Sequence, residues 1–233
     1  MLGTVVNALA IVVGAILGKM MGQGLPENFR KTILQGLGLG VLLVGLTMAV
    51  DTREIMVVLF SLLLGAVIGE AVGVEGFLDR CGEALERAVS RDGMGGDVAR
   101  GFVTASLIYC VGAMAIMGSL ESGLTGNHDI LFAKSLLDGV MSVVLASTLG
   151  LGVAFSAFSV FIYQGSITLL AQWISPFMNQ GVISEMTSVG GLLIVGIALN
   201  VLNIKKIHVG NLLPSILVAF VLVIILQAVG YMA

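Results

Sequence analysis

Apolar runs of about 20 residues, each long enough to cross a bilayer core of about 30 Å as a helix, follow one another along almost the whole chain. They fall near 2–21, 32–50, 55–74, 101–120, 129–147, 149–166, 187–204 and 211–231. Short polar breaks separate most of them, such as Asp51-Thr52-Arg53-Glu54 and Asn203-Ile204-Lys205-Lys206. The pattern predicts an all-α polytopic bundle of about eight spans, in a single integral membrane domain covering 1–233. Within 129–174 only Gly150 and Gly152 mark a turn, so merging its two halves gives the alternative of seven.

One substantial segment breaks the apolar pattern, at 74–100. Phe77, Leu78, Cys81, Ala84, Leu85, Ala88 and Val89 recur at helical spacing, while Asp79, Arg80, Glu83, Glu86 and Arg87 take the other face. This reads as an amphipathic helix on the cytoplasmic surface, packed on the bundle or on a second copy in a homo-oligomer. The connector Arg91 to Asp97 follows it.

Charge sets the orientation. With the N-terminus outside, nine of the eleven basic residues fall on the cytoplasmic side, and only Arg53 and Lys134 lie outside or within a span. Both termini are then extracytoplasmic. Seven spans would put Lys205 and Lys206 outside, which ranks that count second.

Composition narrows the function classes. Hydrophobic residues make up 58% of the chain and charged ones 11%, with mean hydropathy +1.09, so the bilayer is the principal partner. The net charge of -3, with no long basic run, argues against nucleic acid. Cys81 and Cys110 form neither a disulfide framework nor a CxxC site. The motifs HExxH and GxSxG are absent, and Gly36, Gly38 and Gly40 lie inside an apolar span, so neither an enzyme nor a cofactor is expected.

Glycine recurs at intervals of four. Gly14, Gly18 and Gly22 match Gly65, Gly69 and Gly73 through the similar phrases GAILGK and GAVIGE, the spacing that lets helix backbones approach closely in lipid. The same phrases place Lys19 and Glu70 at equivalent positions, which suggests a structural ion pair between the first and third spans. A second comparison, at an offset of 99, aligns Gly24-Leu25, Asn28, Leu37 and Gly40-Val41 with Gly123-Leu124, Asn127, Leu136 and Gly139-Val140. The first and fourth spans run in opposite directions in the eight-span topology. A three-plus-three inverted repeat with two added C-terminal spans follows as an expectation.

The phrases GTVVNALAIVVGAILG, GAMAIMGSLESGLTGN and KSLLDGVMSVVLASTLGLGVAFSA resemble the domain of unknown function 554 family of bacterial membrane proteins, the YqgA/YdfK-like group. The resemblance implies a bacterial inner-membrane location and carries over no functional residues.

The chemistry is concentrated in 111–141. Asp138 lies about 13 Å of helix into the fifth span, and ionisable groups at such depth usually face a bundle interior or a water-filled path. Lys134 stands one turn earlier, while Ser135 and Ser142 add hydroxyls. Ser119 and Glu121 stand either in a helix break that completes the site or in an external turn. Such oxygens suit a small cation or a proton. The chain therefore reads as a secondary transporter of a small ion or compact metabolite, coupled to H+ or Na+ through Asp138. The alternative is a channel or scaffold, with Asp138 a structural partner of Lys134. Asn7 and Asn200 read as interhelical hydrogen-bond partners.

Overall fold

A computed structural model describes residues 1–22, 27–76, 80, 95–111 and 113–230. Among these the main helices are α1 (Leu2–Gly22), α2 (Glu27–Ala49), α3 (Ile55–Val72), α4 (Gly95–Cys110), α5 (Ala113–Leu124), α6 (Asp129–Leu149) and α7 (Gly152–Leu169). The short α8 (Ala171–Ile174), α9 (Gln180–Val201), the short α10 (Val209–Leu212) and α11 (Pro214–Ala228) follow. The amphipathic helix expected over 74–100 lies largely outside the described residues, as do Gly24 and Leu25 of the internal comparison.

Among the described residues, which are all-helical with no strand, seven helices are long and apolar enough to cross a membrane. The stretch 129–169 forms two of them, because Gly150, with φ of 74°, caps α6 and lets the chain reverse. The uncertain span is instead the fourth, where α4 and α5 are bent by 60° at a short break.

The helices gather into two compact units. The first draws on Met1–Leu37, Leu78–Cys110 and Met114–Trp173; the second draws on Gly38–Phe77, Val111–Ala113 and Ile174–Ala233.

In the first unit α1 buries Gly3, Thr4, Asn7, Ile11, Gly14, Ala15 and Gly18, and exposes Leu9, Val13, Ile16, Leu17 and Met20. Small and polar residues face inward and bulky ones face lipid, because hydrocarbon competes with any large apolar side chain and only close packing favours association. A Cβ on Gly14, Gly18 or Gly22 would meet the main-chain carbonyl of Gly139, Val143 or Ser147 in turn. These contacts ascend together at four-residue steps, so α1 and α6 run parallel. α4 and α7 are parallel as well: Gly152 lies against Val98, and the hydroxyls of Ser106 and Ser159 are 3.1 Å apart.

Gly123, near the end of α5, abuts Thr168 at the far end of α7 and Ala171 in α8, so the bent pair α4–α5 extends as far as α7 does. Counted as one broken span, the bent pair brings the candidate spans among the described residues to eight.

In the second unit α9 is the buried axis, enclosed on almost every face from Gly181 to Val201. Gly65 and Gly69 of α3 lie against Ser215 and Asn211, descending in number, so α3 and α11 are antiparallel. The glycine faces of the first and third spans therefore each meet a partner in their own unit. Gly73 has a different role from the packing one expected. With φ of 71° and nothing within 4 Å, it is the left-handed C-cap of α3.

Gly18→Val should lower thermal stability by about 1–3 kcal/mol, since its side chain is driven into the Val143 backbone. Gly36→Ala, with open space at its Cβ, should leave the detergent melting curve unchanged or raised.

Candidate functional site

The parallel α1–α6 seam puts Asn7 beside Asp138, and the α6–α7 hairpin brings Gln164 to the same place. Asn7 Nδ2 donates to Asp138 Oδ2 at 2.9 Å and lies 3.3 Å from Gln164 Oε1. Lys134 Nζ bridges the carboxylate, 3.0 Å from Oδ1 and 2.9 Å from Oδ2. Asn7 and Gln164 are 0% exposed, Asp138 6% and Lys134 7%. Three helices thus converge on one carboxylate near mid-depth.

A buried carboxylate needs both a countercharge and hydrogen bonds, because removing two ions from water costs several kcal/mol each. Lys134 supplies the charge from one turn away on the same helix, although Lys before Asp is the less favourable order on an isolated helix. Asn7 then orients Asp138 from across the seam. With Lys134 paired, Asp138 is a carboxylate and accepts only, so Asn7 must offer its amide nitrogen. Asn7 Oδ1 and Gln164 Nε2 are left buried without partners, and the nearby chain also holds an unpartnered Thr4 Oγ1.

One turn from Asp138, Ser142 Oγ shares a 2.8 Å hydrogen bond with Tyr109 OH. Tyr109 and Cys110 form the last turn of α4, so the break in the fourth span lies close to the depth of the charged pair. A discontinuous helix at this depth is tolerated only where it is buried in protein or lines a cavity, and it presents main-chain dipoles to whatever lies beside it.

The other predicted residues divide. Ser135 is buried but its hydroxyl bonds the Leu131 carbonyl of the preceding turn at 2.6 Å. Ser119 is buried in α5 without a partner. Glu121 lies in the last turn of α5, where Asn127 Nδ2 of the following loop donates to it at 3.1 Å, beside the 2.9 Å Ser122–His128 contact. It therefore stands at a helix end, in neither the helix break nor the external turn expected for it. Glu70 takes a hydrogen bond from Asn211 Nδ2 at 2.6 Å in the second unit, whereas Lys19 belongs to the first. Asn211 Oδ1 also accepts from the Glu75 N–H at 2.7 Å. Asn200 closes a turn in its own chain, exchanging two hydrogen bonds with the backbone of Ile207.

Gln164, Tyr109 and Glu185 were not singled out by the sequence reading. Gln164 is a lone amide in an otherwise apolar run, which is the signal that could have found it. Glu185 is 0% exposed and accepts from Thr52 Oγ1 at 2.7 Å, from the Arg53 N–H at 2.7 Å and from the Glu54 N–H at 3.0 Å. It therefore anchors the N-terminus of α3, where a negative charge is favoured.

Fold and site together define a polytopic helical membrane protein with a charged pair sealed inside its bundle. A family model described as "Protein of unknown function (DUF554)" matches residues 2–224, and the chain belongs to that family. The "Uncharacterized membrane protein YdfK" of Bacillus subtilis (strain 168) is 32% identical over 234 residues, covering 99% of each chain. The "Uncharacterized protein YqgA" of Escherichia coli (strain K12) is 29% identical over 221 residues, covering 94% of each. No solved structure matches the chain.

Asp138→Asn leaves Lys134 buried without a countercharge and should destabilise the protein by about 3–5 kcal/mol. Adding Lys134→Met should restore most of the loss. A chemical-denaturation cycle of the two variants checks this, and additive losses would contradict the pair. Glu185→Gln turns an amide NH2 toward donors on three sides and should cost about 1–3 kcal/mol, read in the same assay.

Proposed function

We propose that the protein is a secondary transporter of a small ion or compact metabolite, driven by H+ or Na+ through Asp138. The observation that carries this reading is the buried Lys134–Asp138 pair, with Tyr109 at the end of α4 bonded to Ser142 one turn away. A carboxylate held by Lys134 of its own helix and by Asn7 of α1, which also meets Gln164 of α7, changes partners when those helices shift. A broken span supplies an element able to shift while its backbone groups stay satisfied.

Direction within the first unit supports an inverted repeat. α1 is parallel to α6, α4 is parallel to α7, and α6 and α7 form a hairpin, so α1 and α4 run oppositely, as repeats related by an axis in the membrane plane require. The distribution of basic residues supports a bacterial inner-membrane protein with both termini extracytoplasmic.

Two measurements test the reading. In a variant lacking Cys81 and Cys110, a membrane-impermeant thiol reagent should label Thr52→Cys and Thr125→Cys from outside, and Lys205→Cys only after permeabilisation. The opposite pattern reverses the orientation. In proteoliposomes, flux should depend on a proton or sodium gradient and vanish in Asp138→Asn combined with Lys134→Met, the pairing chosen to keep the fold. Undiminished flux in that double variant would leave a channel, and no flux from wild type under any gradient would leave a scaffold.

A further inference from the structure

The first unit holds two unpaired atoms that complement each other. Asn7 Oδ1 is an acceptor without a donor and Gln164 Nε2 is a donor without an acceptor, both on side chains that are 0% exposed. Neither is cured by turning an amide. Turning Asn7 would set its oxygen against the Asp138 carboxylate, and turning Gln164 would set its nitrogen against Asn7 Nδ2. A buried unsatisfied group costs about 1–3 kcal/mol, so two in contact through one hydrogen-bond chain point to something that uses them.

The charge balance of the site restricts what that is. Lys134 Nζ stands within 3.0 Å of both Asp138 oxygens, so a coupling H+ or Na+ reaches the carboxylate only when Lys134 leaves it. A cation carried as cargo beside the closed pair leaves net charge near mid-depth, and so does an anion, each at a high desolvation cost. A ligand with no net charge adds none. To use the pair at all, it must bring a cationic donor for Asp138 and an anionic acceptor for Lys134 together, because opening the pair for one alone leaves the other ion stranded.

We infer that the Asn7–Lys134–Asp138–Gln164 cluster binds a compact zwitterion of the α-amino-acid class. Its ammonium group takes Asp138 and Asn7 Oδ1, and its carboxylate takes Lys134 and Gln164 Nε2. Each end then meets one charged and one neutral partner, and both orphaned amide atoms are satisfied. Size is limited because α1 and α6 touch backbone to backbone from Gly14 onward, two turns beyond Asn7. The inference rests on the transporter reading only for its location and names the substrate class of that site. It also gives alternation a differential contact, since Lys134 and Asp138 hold each other when the site is empty and hold the ligand when it is full.

The test is a thermal-shift panel on wild-type protein in detergent with glycine, L-alanine and L-serine, set against methylammonium chloride, sodium acetate and an equimolar mixture of the two salts. The zwitterions should raise the melting temperature and the separate halves should not. Gln164→Met should melt no lower than wild type without ligand, because it removes an unpaired donor, yet bind about tenfold more weakly or worse. Equal stabilisation by acetate or methylammonium alone, or unchanged affinity in Gln164→Met, overturns the proposal. Proteoliposome uptake separates the two readings. A silent panel with Asp138-dependent H+ or Na+ flux removes the zwitterion and keeps the transporter; stabilisation by zwitterions without any uptake keeps the site and removes transport.

Discussion

Everything in the first unit depends on the backbone contact between α1 and α6. Lipid tails compete on equal terms for large apolar side chains, so two helices stay together only where they approach more closely than lipid can. Gly14, Gly18 and Gly22 against the carbonyls of Gly139, Val143 and Ser147 provide that approach. The contact fixes the register of the two helices, and register is what places Asn7 opposite Asp138. A shift of one residue along either helix would turn the amide away from the carboxylate and put a side chain where only hydrogen fits. The seam therefore sets both the packing of the first unit and the geometry of the charged site.

Much of this was legible along the chain, and the limits have physical causes. Span positions follow from hydropathy, which is a local property, and the helices lie where the apolar runs do, although α9 begins at Gln180, about two turns ahead of the run expected from 187. Asp138, Lys134 and Ser142 were visible because charge and hydroxyls are conspicuous in apolar surroundings. The glycine pattern showed which faces pack but not which helix each would meet, because a four-residue stripe of small residues is compatible with any partner offering backbone. That is why GAILGK and GAVIGE looked like two halves of one contact, whereas each closes a seam inside its own unit. Gly73 has the spacing of the stripe and the conformation of a cap, a distinction carried by φ alone. The break at 111–113 was hidden for a different reason: the sequence there is Val-Gly-Ala, apolar throughout, and nothing in its hydropathy marks a bend of 60°.

Among the described residues, the buried carboxylates Glu185 and Asp138 show how the environment separates an anchor from an adaptable site. Glu185 accepts from the Arg53 and Glu54 main-chain N–H groups and the Thr52 hydroxyl just ahead of α3, and the backbone donors cannot leave without moving the chain that enters that helix. Asp138 accepts from Lys134 and Asn7 through rotatable side chains, the first with four torsions and the second with two, and Gln164 is joined to it only through Asn7. The net stabilisation in the two arrangements is comparable, since both rest on hydrogen bonds to a charged acceptor, each worth about 1.5–3 kcal/mol. What differs is the cost of exchange. Replacing a backbone donor of Glu185 requires displacing the main chain ahead of α3, whereas replacing a donor of Asp138 requires a rotamer change and a substitute charge. A site of the second kind can be stable when closed and still be open to competition, which is the property that ligand exchange near the middle of a membrane requires.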